Sequence, residues 1–216
     1  MQQKPVRPRK ERSENAARRR KQIVDATLES ISRHGLSGTT LATVAALAEM
    51  SQGSTIFYFQ TKEQLFTEAF RAHCEEYRDA WRSVFDADFD DPVSHLAAFV
   101  LVDFSPNLCN RREISLWFDF WGESQTRPPF RQISDEHARD HADHLAALVE
   151  RAAERMSPDW TPATFAKAID AMSDGLWLEF HTQEGEVERH AARQLLVRFM
   201  ASAFPEDRRA ILAMAE

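Results

Sequence analysis

Glycine is scarce in this chain, at six in 216 residues. No sustained alternation of apolar and polar residues accompanies it, so a sheet of strands joined by tight turns is excluded. Cysteine is scarcer still. Cys74 and Cys109 are the only two, and no Cys-x-x-Cys or Cys/His spacing suggests structural zinc. They are expected as buried or half-buried thiols. Long apolar runs are missing: Ala97–Val102 is cut off by Asp103, far short of a membrane span. The basic N-terminal stretch is followed by no apolar segment, so a secretory signal is not expected and the cytoplasm is the expected location. No phosphate loop and no nucleophile–base pair is visible, so neither an enzyme nor a bound cofactor is expected.

What is present reads as a soluble, globular, helical protein: 43% hydrophobic and 28% charged residues. Net charge is −7, which on its face argues against nucleic acid. Its distribution reverses that. Residues 1–21 carry nine Lys/Arg against two Glu, a net of +7, and the remainder carries −14. A basic arm on an acidic body suits a protein that touches phosphates at one end only. A solvated basic tail is the plainer account of the same numbers.

The helical pattern divides the chain into a flexible basic arm over 1–15, a compact unit over 16–65, a larger helical domain over 66–204 and a tail over 205–216. The first helix is predicted from Ala16 to His34, on a stripe of Ile23, Thr27 and Ile31, with Gly35 as its stop. Thr40 is the expected N-cap of a short helix from Leu41 to about Glu49, with Leu41, Val44, Ala45 and Ala48 inward. Ser51 is expected to cap a third helix through Tyr58, and Thr61 a long fourth one reaching Phe85. Further helices are predicted over 93–106, 112–123, 130–156, 162–183 and 187–203, punctuated by prolines.

Three short helices joined by tight turns suggest a helix-turn-helix. Small residues (Ala45, Ala46, Ala48) let the second helix cross the third closely. Gln52, Ser54 and Thr55 near the start of the third helix carry groups able to bond base edges, and Gly53 lets that helix approach the groove floor. For Thr55, base contact and helix packing both remain open. Thr40, Tyr58 and Lys62 stand at helix ends, where they can hold phosphates. Arg18, Arg19, Arg20 and Lys21 begin the first helix, where cations oppose the helix dipole, and phosphate or minor-groove contact explains them better than stability does.

The stretch Gly35-Leu36-Ser37-Gly38-Thr39-Thr40-Leu41-Ala42-Thr43-Val44-Ala45, followed by Ser51-Gln52-Gly53-Ser54-Thr55-Ile56-Phe57-Tyr58-Phe59-Gln60-Thr61-Lys62-Glu63-Gln64-Leu65, resembles the TetR-family DNA-binding domain. The resemblance implies phosphate contacts from Thr40, Tyr58 and Lys62, and places Gln52, Ser54 and Phe57 in or beside the major groove. Thr43, Gly53 and Thr55 complete the candidate DNA surface. Two positions depart from the family. Glu49 replaces a turn glycine that favours φ > 0, and Ile56 stands where a tyrosine is frequent.

The second half resembles the regulatory domain of the BetI-type branch, repressors of choline and glycine-betaine genes. The residues that carry the likeness are Leu116-Trp117-Phe118-Asp119-Phe120-Trp121 and Ser173-Asp174-Gly175-Leu176-Trp177-Leu178. Trp117, Phe120, Trp121 and Trp177 with Asp174 could enclose a quaternary ammonium by cation–π attraction. A tryptophan-rich core is the competing account. The likeness also implies a homodimer through helices 162–183 and 187–203, with Gly175, Leu176, Phe180, Leu195, Leu196 and Phe199 as contacts. Such a dimer would present two reading helices to palindromic half-sites of double-stranded operator DNA. His137, His141 and His144 lie at i, i+4, i+7 beside Asp140, a spacing that permits a metal or protein-binding face. Surface His–Asp pairing is the blander account of that helix. The reading with most support is an all-α DNA-binding repressor released by a small-molecule effector.

Overall fold

The structure, a computed structural model, describes residues 9–215. It holds helices α1 (Arg9–Gly38), α2 (Leu41–Leu47), α3 (Gln52–Tyr58), α4 (Lys62–Phe85), α5 (Pro92–Val102), α6 (Arg111–Ser124), α7 (Pro128–Ala152), α8 (Pro162–Thr182), α9 (Arg189–Ala203) and α10 (Arg208–Ala213), with short 3-10 turns at Ala153–Arg155 and Pro205–Asp207. Among the described residues there is no strand. Two compact units divide between His73 and Cys74. Part of the expected arm, residues 1–8, lies outside the described residues. The rest of it, from Arg9, is helical, so α1 begins upstream of the predicted Ala16.

The first unit is built on the predicted stripe. Ile23, Thr27 and Ile31 are fully buried, and Val24 and Leu28 nearly so. Gly35 breaks α1 at φ 68°, ψ 172°, and a short turn continues to Gly38. That conformation is open to glycine at little cost. The Thr39 hydroxyl donates to the Gly35 carbonyl (2.9 Å), and the Ser30 hydroxyl donates to Thr39 Oγ1 (3.1 Å), closing the turn. Val44 and Ala45 of α2, Ala48 at its end, Thr55 of α3 and Phe59 just after it are all buried, as are Leu65, Phe66, Ala69 and Phe70 of α4.

Between α2 and α3, Glu49 takes φ 51°. A side chain there is strained by about 1 kcal/mol relative to glycine. Glu49→Gly is therefore expected to raise the urea midpoint, by up to about 1 kcal/mol of stability. An unchanged or lower midpoint would show that the turn holds no such strain.

In the second unit, α5 is almost wholly buried. Asp91 caps it, accepting from the Ser94 N–H (2.7 Å), and Pro92 occupies its first turn. Arg155 binds both that cap and the buried Asp207, which fastens the start of α5 to the end of the chain. Thr161 and Thr164 form a reciprocal capping box at α8. Trp81 of α4 is fully buried against Phe99. Both cysteines are buried thiols, and burial pushes the Cys109 thiol up to about 12. Among the described residues, no helix is long and apolar enough to cross a membrane.

Candidate functional site

The reading head is made by local capping. Thr40 caps α2, its hydroxyl accepting from the Thr43 N–H (3.1 Å). Thr43 Oγ1 accepts from the Thr40 N–H (2.9 Å) and donates to the Thr40 carbonyl (2.8 Å). Thr43 is thereby engaged in the cap, whereas Thr40 is exposed. Ser51 caps α3 by accepting from the Ser54 N–H (3.1 Å), and the two hydroxyls lie 2.9 Å apart. Gln52 and Gly53 are exposed on the outer side. Thr55 is fully buried, so its side chain packs in the core and cannot reach a base.

The basic residues separate in the same way. Arg20 donates to the Tyr58 carbonyl at the end of α3 (3.0 Å), lies 4.4 Å from the centre of the Phe59 ring and is 3.7 Å from Glu68. These partners make Arg20 a brace for α3 rather than a free phosphate contact. Arg18 and Arg19 are exposed; Arg18 donates to Asn15 and Arg19 to Gln22, both on α1 itself. Lys62 is exposed at the start of α4, 5.0 Å from the centre of the Phe66 ring.

The second unit contains a cavity of about 130 Å³. Helix α6 contributes Trp117, Phe118 and Trp121; α7 contributes Ser134, His137, Ala138 and His141; α8 contributes Asp170, Ser173, Asp174 and Trp177. Tyr77 of α4 and Asp103, just after α5, complete it. The structure thus brings together four of the five expected ligand residues. Phe120 is not among the lining; it is fully buried, edge-on to Phe130. Tyr77 stands edge-on to Trp117 (centroids 5.3 Å apart) and to Trp177 (6.0 Å), so three rings form one corner. Its hydroxyl donates to Asp103 Oδ1 at 2.6 Å.

Sequence reasoning missed Tyr77 and Asp103. The available signal was Asp103 itself, an acid placed directly after an apolar run, where burial demands a partner.

Charge in the cavity is one-sided. Among the described residues, three carboxylates and no lysine or arginine line it. Burial raises Asp103 above the usual carboxylate range, against the opposing pull of His141 and the Tyr77 hydrogen bond. Burial, with Asp103 beside it, raises Tyr77 well above the ordinary phenol. Asp174 is exposed as a residue but lines the mouth, and desolvation followed by repulsion from Asp170 and Asp103 raises it to about 6. His137 is lowered to about 4, by burial first and then by His141 and Arg78, so it is neutral near pH 7. Burial leaves His137 neutral, and the three carboxylates of the wall make a setting that attracts a cation.

The three histidines do not form one open face. His137 and His141 line the cavity, while His144 packs on Phe85 and Trp81 and lies 2.7 Å from the Asp140 carbonyl through Nδ1. Among the described residues, no group of three or more His, Cys, Asp or Glu side chains could hold a metal ion.

Of the expected dimer contacts, Leu195 is exposed, Leu176 half-buried, and a Cβ on Gly175 would meet nothing within 4 Å. Leu196 is fully buried in its own protomer, Phe180 nearly so, and Phe199 stacks on Phe165. Leu196 therefore belongs to the protomer core, whereas Leu178, exposed on α8, was not anticipated.

A capped helix-turn-helix followed by a helical unit that encloses an acidic aromatic cavity is the build of a DNA-binding transcriptional regulator. Residues 23–69 match the bacterial regulatory proteins of the tetR family, and residues 92–205 match the C-terminal domain of BetI-type transcriptional repressors. The chain belongs to the TetR family of regulators, in its BetI-type branch. It is 34% identical over 180 residues to the HTH-type transcriptional regulator BetI of Burkholderia thailandensis, covering 82% of this chain and 89% of that one. The BetI of Paraburkholderia phytofirmans is 35% identical over 163 residues, 74% of this chain and 80% of its own. A transcriptional regulator from Saccharomonospora viridis, solved in complex with choline, shares the fold at a TM-score of 0.76 and 21% identity, over 85% of this chain and 96% of that one.

Proposed function

We propose that the protein is a homodimeric repressor that a choline-like quaternary ammonium ion releases from operator DNA. The observation that carries the effector reading is the corner of Tyr77, Trp117 and Trp177, set beside Asp103 and Asp174 in one cavity. A quaternary ammonium has no N–H to donate, so ring faces and uncoordinated carboxylate charge are what attract it. The choline complex of the Saccharomonospora viridis regulator supports this reading.

On the DNA side, Thr40, Tyr58 and Lys62 hold phosphates, assisted by Arg18 and Arg19, while Gln52, Ser54 and Phe57 meet base edges beside Gly53. Gly175, Leu176 and Leu195 contribute to a twofold interface that sets two reading heads on palindromic half-sites. In this reading the basic N-terminal stretch and residues 16–65 serve the DNA, and residues 66–204 serve the effector and the dimer. Release requires that the effector favour the form that binds DNA less well. Because α4 runs unbroken from Lys62 to Phe85 and carries Tyr77, a shift at the cavity is passed along one helix to a phosphate contact.

Anisotropy on the promoter duplex beside the gene tests the whole reading. Binding is expected at low salt, with release on adding choline. Lys62→Ala should weaken it and flatten the salt dependence by about one unit of slope. Absence of any DNA binding at low salt sinks the repressor reading; an unchanged slope removes Lys62 from the phosphate contacts.

A further inference from the structure

We propose that Ile56 and Phe57 read thymine methyl groups in the major groove, so that the operator half-site carries thymine where these side chains meet it. The inference rests on the assignment of α3 as the reading helix. Its inner side is fixed by Thr55, and Phe59 follows directly after it; both are fully buried. The opposite side presents Gln52, Gly53, Ile56 and Phe57, which pair at i, i+4 and are all exposed.

Ile56 is 45% exposed and Phe57 80%. Large apolar side chains adjacent on the outer side of a seven-residue helix have no account in the folding of this unit. Tyr58 meets the Phe57 ring edge-on at 5.3 Å and leaves the rest of it open. Neither side chain has a hydrogen-bonding atom, so neither can address the donors and acceptors of a base edge. The apolar group that a major groove offers is the 5-methyl of thymine. Gln52, one turn before Ile56, supplies an amide suited to the adenine of the same kind of base pair. The exposed cations Lys62, Arg18 and Arg19 of the same unit complement a polyanion, which favours a duplex over a protein as the occupant of this face.

The test uses duplexes selected by the full chain from a pool with a randomised centre. The selected half-site is expected to contain thymine. Replacing one contacted thymine by deoxyuridine removes only the methyl group and should weaken wild-type binding about fourfold. In Ile56→Ser or Phe57→Ser that loss should vanish, and both variants should keep the wild-type melting temperature because the positions are exposed. A selected half-site without thymine, or equal affinity for thymine and deoxyuridine duplexes, overturns the proposal while DNA binding stands. A deoxyuridine penalty that persists unchanged in both variants overturns the assignment to these two residues. Failure to enrich any duplex at low salt overturns the reading-helix assignment itself.

Discussion

Choline should bind this protein at least about thirtyfold more tightly than glycine betaine, although both carry the same trimethylammonium head. The two differ at the tail, a neutral alcohol in one and a carboxylate in the other. The cavity is lined by Asp103, Asp170 and Asp174, and among the described residues no lysine or arginine lines it to receive an anion. A like charge held roughly 7 Å away, at an effective dielectric constant of about 20, costs about 2 kcal/mol, which is the stated factor. The head group should be equally sensitive to the rings. Trp121 is 40% exposed at the mouth, so Trp121→Ala leaves the core intact and should weaken choline by about three- to tenfold. Calorimetric titration of both ligands into both proteins gives the comparison. Equal affinities for choline and glycine betaine would mean that the carboxylates do not face the ligand tail. An unaffected Trp121→Ala would remove that ring from the site.

The residues behind this expectation were legible to different degrees, for physical reasons. Caps are local, so Thr40 and Ser51 could be assigned from a few neighbours, and the structure places both at helix starts accepting the expected N–H. Glu49 was legible through the family resemblance: a turn where relatives carry glycine keeps its φ > 0 when that glycine is replaced. Arg20 was not. Its partners, the Tyr58 carbonyl, Phe59 and Glu68, are close only after the helices pack, so a run of four cations looked uniform in sequence. Phe120 and Trp121 are neighbours separated by about 100° around one helix, and both are aromatic. Pattern cannot decide which of them meets a cavity and which meets Phe130. Asp103 signalled a need for a partner by following an apolar run, but nothing in sequence points to Tyr77, 26 residues away, until the fold joins them. The histidine spacing, i, i+4, i+7, admitted one shared side of α7, but His137 and His141 line the cavity while His144 packs on Phe85 and lies 3.5 Å from Asp140, which favours the plainer His–Asp account.

Choline affinity should fall about tenfold between pH 7 and pH 5, with its midpoint near 6. Choline is a permanent cation and does not titrate over this range, so the change must come from the protein. Asp174 is raised to about 6 by desolvation and by the neighbouring Asp170 and Asp103. A bound cation favours the ionised carboxylate and lowers its pKa. Attraction is therefore complete well above pH 6 and is lost as protons occupy the group below it. His137 does not confuse the reading, because it is lowered to about 4 and remains neutral through the window. Asp174→Asn should give weaker binding at pH 7 and a flat profile. Direct titration of choline without DNA, from pH 8 to pH 5, keeps the protonation of operator contacts out of the measurement. A flat wild-type profile would show that Asp174 is not the counter-charge. A slope that survived Asp174→Asn would move that role to Asp103, whose buried carboxyl is also raised and held by Tyr77.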